Sequence, residues 1–214
     1  LTQAYGNTWP NFGGPLRNQI SDEKGLKTDW EEQEPERLWE LNIGLGYSSI
    51  IEVGGLAYTQ GHSEGRNTLY CVEALTGKEI WQHSYPCEKA PKFFDGGSRA
   101  TPTIANGILY LGSHEGDFYA LDAKSGQILW TKNLVKDFDG RRPMWGYSGS
   151  PLVVEGKLIL ETGSANGSLV CLDAQKGELI WRSGENEAGY ASPMLNSKNE
   201  ILLFNEFGIV SHEI

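Results

Sequence analysis

The sequence predicts an all-β fold: an antiparallel β-propeller with four-stranded blades, about four of them present. Three observations carry this. One motif occurs three times without gaps: CVEALTGKEIW at 71–81, ALDAKSGQILW at 120–130 and CLDAQKGELIW at 171–181. A second hairpin signal precedes each copy: Val53-Gly54-Gly55-Leu56, the Asn106-Gly107 turn between Thr103 and Tyr110, and Val154-Glu155-Gly156-Lys157. The composition, with 27 Gly, seven Trp and nine Tyr in 214 residues, suits short strands, tight turns and large packing anchors.

Residues 1–30 form a lead-in without periodicity, and Trp9-Pro10-Asn11-Phe12-Gly13-Gly14-Pro15 reads as an ordered, turn-rich loop. Residues 31–214 carry the blades. Residues 36–42 read as a lone fourth strand, with Trp39 in the docking position. Blades follow at 43–85, 98–134 and 146–183, and a partial blade at 189–214. In each motif copy an apolar strand ends at an acidic residue (Glu73, Asp122 or Asp173) and Ala. A turn follows, with Gly77, Gly126 or Gly177 where a positive φ is needed. The next strand buries Trp81, Trp130 or Trp181, at intervals of 49 and 51 residues. In the second repeat the strands are predicted near 100–105, 108–113, 117–122 and 127–133. Four-stranded units at this period read as propeller blades, which bury their faces only by stacking on neighbours. A plain β-sandwich is the alternative, but it has no need of the same hairpin and Trp at every fourth strand.

Charge and motif content narrow the function. The net charge of −10 disfavours phosphate backbones, so no nucleic-acid partner is expected. No 18-residue apolar run exists, so no transmembrane segment is expected. Cys71, Cys87 and Cys171 match no zinc spacing. Cys71 and Cys171 read as small buried hydrophobes, while a Cys71–Cys87 bridge stays open. His62, His83, His114 and His212 lack ligand spacing, and His62 and His114 read as loop residues beyond a second strand. Asp137 and Asp139 read as a solvated turn rather than a calcium loop. Glu73, Asp122 and Asp173 recur at one repeat position, which points to a turn role rather than acid–base chemistry. No nucleophile elbow or phosphate loop is present. No catalytic or metal-binding residue is assigned.

The three Asp/Glu-Ala-x-x-Gly-x-x-x-Trp copies, Ser148-Gly149-Ser150-Pro151, Ala191-Ser192-Pro193 and the lead-in motif together resemble the pyrroloquinoline-quinone-repeat, or quinoprotein-like, propellers. The resemblance is specific for fold and weak for function. That family includes quinone-dependent dehydrogenases, the non-catalytic lipoprotein of the outer-membrane β-barrel assembly machine, and exported proteins whose lead-in this one most resembles. Members commonly close eight blades, so the resemblance implies part of a larger ring; a closed four-bladed ring is the alternative. Leu1 in place of Met is read as a removed leader or a cut from a longer chain. The resemblance implies a periplasmic or extracellular location and leaves attachment through a removed lipidated leader open.

In an up-and-down propeller the first strands line a central channel. The segments approaching them place Tyr47, Arg99, Trp145, Tyr147 and Tyr190 near one mouth. Aromatics and Arg are frequent binding anchors, and packing of the approach loops is the competing role. The expectation is a non-catalytic binding or scaffold module for a protein, small-molecule or glycan ligand, with no cofactor in this chain. The alternative is the N-terminal half of a quinone-dependent dehydrogenase, whose pyrroloquinoline quinone and calcium ligands lie outside it.

Overall fold

The computed structural model describes residues 8–27, 29, 34–92 and 94–214. Its strands form four antiparallel sheets, each paired in chain order. Blade one holds β1 (Ile51–Val53), β2 (Leu56–Ser63), β3 (Arg66–Glu73) and β4 (Glu79–Pro86). Blade two holds β5 (Thr103–Ala105), β6 (Ile108–Gly112), β7 (Asp117–Asp122) and β8 (Ile128–Asn133). The short helix α1 (Leu134–Phe138) follows. Blade three holds β9 (Leu152–Val154), β10 (Lys157–Ser164), β11 (Gly167–Asp173) and β12 (Leu179–Ser183). Blade four contributes β13 (Met194–Leu195), β14 (Ile201–Phe204) and β15 (Ile209–His212).

The core lies between blades, as the two-residue period of a strand dictates. Leu109 and Leu111 of β6 pack toward Tyr58, Leu69 and Cys71 of blade one. Tyr110, between them in sequence, turns to the other face and packs with Leu158, Val170 and Leu172 of blade three. Ile159, Leu169 and Cys171 leave blade three on its far side and meet Ile201 and Leu203 of blade four. Every inner blade is therefore apolar on both faces, and no blade buries its surface alone.

The repeated tryptophans tie each blade to the next. Trp81 Nε1 donates to Ala123 O at 3.1 Å, and Trp130 Nε1 donates to Ala174 O at 3.2 Å. Trp39 Nε1 donates to Ala74 O at 3.0 Å in the same manner. Each ring lies on the glycine of the turn it reaches. A Cβ at Gly77, Gly126 or Gly177 would stand 2.5, 2.6 or 2.8 Å from the nearest indole carbon, and all three have positive φ. The same alanine carbonyls accept a tyrosine hydroxyl as well, Tyr58 at Ala123 and Tyr110 at Ala174, which uses both lone pairs. Residues 36–42, expected as a lone strand, pair with no strand. A fourth strand needs a third beside it, and none of the described residues supplies one; the segment contributes its tryptophan alone.

A bulge aims each tryptophan. Cys71 faces Trp81 while Val72 faces Glu79; Ala120 faces Trp130 while Leu121 faces Ile128; Cys171 faces Trp181 while Leu172 faces Leu179. The extra residue is Ile80, Leu129 or Ile180, and all three are exposed. One inserted residue bends the outer strand and increases its twist. That local bend precedes each docking ring.

The acidic turn residues act through hydrogen bonds. Asp122 Oδ1 accepts from the backbone N–H groups of Lys124 and Ser125, and Asp173 Oδ1 from those of Gln175 and Lys176. Hydrogen bonds from Ser125 hold the Asp122 carboxyl below its usual value. Glu73 accepts instead from the Thr76 hydroxyl.

Candidate functional site

The inner edges of the blades are joined by a relay of hydroxyl groups. Ser49 N donates to Thr101 Oγ1 at 2.9 Å, Thr101 N to Ser150 Oγ at 3.2 Å, and Ser150 N to Ser192 Oγ at 2.9 Å. These residues hold one repeat position, and in the last three proline follows the hydroxyl. Proline has no N–H, so the chain there pairs through its carbonyl and the preceding side chain. The relay sets the first strands around a common axis.

The lead-in runs along that axis. Trp9 pairs with Glu52 of β1 through two backbone hydrogen bonds of 2.7 and 3.0 Å, and Pro10 O accepts from Ile104 N of β5. Gly14 leaves room for the Trp9 ring, which a Cβ would meet at 2.6 Å. Arg17 then reaches blades three and four, donating to Pro151 O at 2.5 Å and Pro193 O at 3.4 Å. The nine residues from Trp9 to Arg17 thus touch all four blades.

A cavity of about 400 Å³ opens beside this segment. Arg17, Arg99 and the hydroxyl residues Thr101, Ser148, Ser150 and Ser192 give its polar lining. Phe12, Tyr47, Tyr190 and Met194 give its apolar walls, and all four are exposed. Of the five predicted mouth residues, the structure places Tyr47, Arg99 and Tyr190 on this cavity. Trp145 stands behind Tyr190, with ring centroids 5.3 Å apart. Tyr147 is elsewhere: it is buried in the core between blades two and three, and its hydroxyl donates to Thr162 O at 2.8 Å. Gly116 and Gly140 make the space, since a Cβ at either would approach its ring or hydroxyl to 3.2 or 2.7 Å.

Arg99 braces the mouth. Its guanidinium donates to Trp145 O and, at 3.1 Å, to Ala90 O, and it lies 5.0 Å from the Phe94 ring centroid. Burial lowers its pKa from the usual arginine value. Behind it, His114 is buried with a ring nitrogen 3.7 Å from Cys87 Sγ. Burial first, and the Arg99 and Arg142 charges next, push His114 down to about 4, while burial pushes the Cys87 thiol up to about 12. Both groups are neutral at pH 7, so this pair is not a thiolate–imidazolium nucleophile.

Two histidine and aspartate readings change in detail. His62 is not a loop residue: it lies buried on β2, with Nδ1 2.9 Å from Asn67 Oδ1. The strand extends past the expected hairpin end because Asn67, Tyr85 and Gln60 satisfy the polar groups it buries. Asp137 falls within α1, where its Oδ2 accepts from Asn133 N at 2.8 Å, and Asp139 caps the helix with φ +55°. All three cysteines are free and buried, so Cys71 and Cys87 are not bridged.

One half-buried acid was not legible. Glu161 on β10 faces a small cavity of about 30 Å³ and accepts from Gly189 N at 3.2 Å. Burial pushes its carboxyl up to about 7. In the sequence it is one polar residue at the end of an apolar strand, with no motif around it.

The donor set does not suit a quinone held over calcium. Calcium takes six to eight oxygens, with carboxylates among them. Among the described residues no carboxylate lines the larger cavity, and Glu161 is the one carboxylate on the smaller. Among the described residues no group of three His, Cys, Asp or Glu could hold a metal ion.

The stacked blades and axial cavity define a quinoprotein-like β-propeller. The family model described as outer membrane protein assembly factor BamB matches residues 65–208, and the chain belongs to that family. It is 31% identical over 192 residues to the dehydrogenase subunit of a quinone alcohol dehydrogenase from Komagataeibacter europaeus, covering 84% of this chain and 24% of that one. It is 25% identical over 182 residues to the outer membrane protein assembly factor BamB of Salmonella typhimurium, covering 70% and 45%. Among solved structures, the quinohemoprotein alcohol dehydrogenase of Comamonas testosteroni superposes with a TM-score of 0.68 at 19% identity, over 92% of this chain and 35% of that one. The chain thus spans about a quarter of the length of the first curated relatives it matches. No helix among the described residues is long and apolar enough to cross a membrane.

Proposed function

We propose that this chain belongs to an exported, non-catalytic binding propeller whose ligand enters the mouth cavity between Tyr47, Arg99 and Tyr190. The observation that carries this reading is the lining itself. Among the described residues the cavity offers two guanidinium groups, four hydroxyl residues and apolar walls, and no carboxylate, imidazole, amine or thiol to move a proton or form a covalent intermediate. Its volume falls in the range of small-molecule sites, and a projecting side chain of a protein partner fits the same space. The similarity to an outer membrane protein assembly factor supports export and a protein partner.

The dehydrogenase reading keeps one observation in its favour, the 31% identity to a quinone alcohol dehydrogenase subunit. It requires every carboxylate ligand to come from outside this chain. The test has two arms. Adding pyrroloquinoline quinone and calcium should give no ethanol-dependent dye reduction; turnover would establish the enzyme. Screening soluble peptides and glycans by tryptophan fluorescence should give a binder that the Tyr47→Ala/Tyr190→Ala double variant loses. A screen without binders, or binding indifferent to that variant, overturns the mouth as the site.

A further inference from the structure

Among the described residues, Arg17 is a cation without a counter-ion. Its guanidinium donates to two proline carbonyls, Pro151 O and Pro193 O. Carbonyl dipoles solvate the charge but do not neutralise it. Arg99, on the same cavity, also spends its hydrogen bonds on carbonyls, those of Trp145 and Ala90, and its Nε is buried with no partner. None of the ion pairs among the described residues involves either arginine. Glu115, whose field reaches Arg99, pairs with Arg142 at 3.9 Å.

The setting makes this unusual. The chain carries a net charge of −10, yet no Asp or Glu among the described residues lines the mouth. Burying a charge without a partner is costly, and an incoming anion relieves that cost. The lowering of Arg17 to about 10, caused by burial alone, agrees with a cation lacking a carboxylate neighbour. A guanidinium has five N–H donors in a fixed fork, so two bonds to carbonyls leave donors for a ligand. Around the two cations stand Phe12, Tyr47, Tyr190 and Met194.

Resting on the mouth as the binding site, we propose that the cavity is a receptor for a small organic anion: a carboxylate carried on an aromatic or apolar body. Arg17, brought by the lead-in, supplies the charge; Arg99 holds the rim and adds to the field. Tyr47, Tyr190 and Phe12 take the body of the ligand.

The test uses benzoate and its neutral analogue benzyl alcohol, titrated into the 214-residue chain and followed by tryptophan fluorescence. Charge-assisted hydrogen bonds favour benzoate by roughly ten-fold or more. That preference should shrink as sodium chloride is raised. Arg17→Gln should bring the two ligands close to equal affinity, and Arg17→Lys should retain part of the preference. If Arg17→Gln misfolds, judged by its circular dichroism, the salt dependence of the unmodified chain decides. Equal binding of both ligands at low salt overturns the anion proposal and leaves the mouth as a binding site. Binding of neither also overturns the anion proposal, while the mouth as a site stands or falls with the peptide and glycan screen.

Discussion

Replacing Gly126 by alanine separates blade docking from backbone strain. Gly126 has φ +72°, and its Cβ would lie 2.6 Å from the Trp81 ring. Gly107, in the turn between β5 and β6 of the same blade, has φ +78° and nothing within 4 Å of its Cβ. An alanine in the left-handed region costs about 1–2 kcal/mol. Gly107→Ala should cost that alone. Gly126→Ala must also displace the indole, losing the Trp81 Nε1–Ala123 O hydrogen bond, about 1 kcal/mol, and part of the ring's burial, for about 3 kcal/mol in all. Urea unfolding of the two variants beside the unmodified chain measures the difference. Equal destabilisation would refute the claim that the tryptophan docks on this glycine.

Three further outcomes are expected. Tyr147→Phe should cost about 1 kcal/mol of stability through the lost bond to Thr162 O and leave ligand binding unchanged, whereas Tyr190→Ala should weaken binding; the reverse pattern in a titration would place the site elsewhere. Burial raises Glu161 to about 7, so between its ordinary value of 4.5 and pH 7 the folded chain keeps a proton that the unfolded chain has lost. Its contribution is therefore present below pH 4.5 and lost as pH rises through 7; thermal melts of Glu161→Gln should lack that decline and lie above the unmodified chain at pH 8. Burial raises all three thiols, Cys71 to about 11 and Cys87 to about 12. A thiol reagent at pH 8 should react slowly with the native chain and with all three in urea, and rapid native reaction would contradict their burial.

The repeat was legible because its physics is local. A turn glycine and a tryptophan four residues later suffice to mark a hairpin, and three copies fix the period. The bulge at Ile80, Leu129 and Ile180 was not legible, because an inserted residue leaves no mark in an already apolar strand. The path of the lead-in was hidden for the opposite reason: residues 8–17 have no periodicity, and only the tertiary fold shows Trp9 on Glu52 and Arg17 on Pro151 and Pro193. Tyr47, Tyr147 and Tyr190 each follow a glycine and look equivalent in the sequence. Two distant glycines, Gly116 and Gly140, open space for Tyr147 alone and draw it into the core. Glu161 escaped notice because the group it meets, Gly189 N, comes from the next blade.

The most direct measurement is a nitrogen-15 amide and indole spectrum of the chain, titrated with benzoate. The account predicts shifts at the backbone amides of Tyr47, Arg99, Ser148, Ser150 and Tyr190 and at the Trp145 indole. The Trp81 and Trp130 indole protons should stay in place and exchange slowly with solvent. Shifts centred on the outer hairpins, or rapid exchange of those two indoles, would contradict both the docked blades and the axial site.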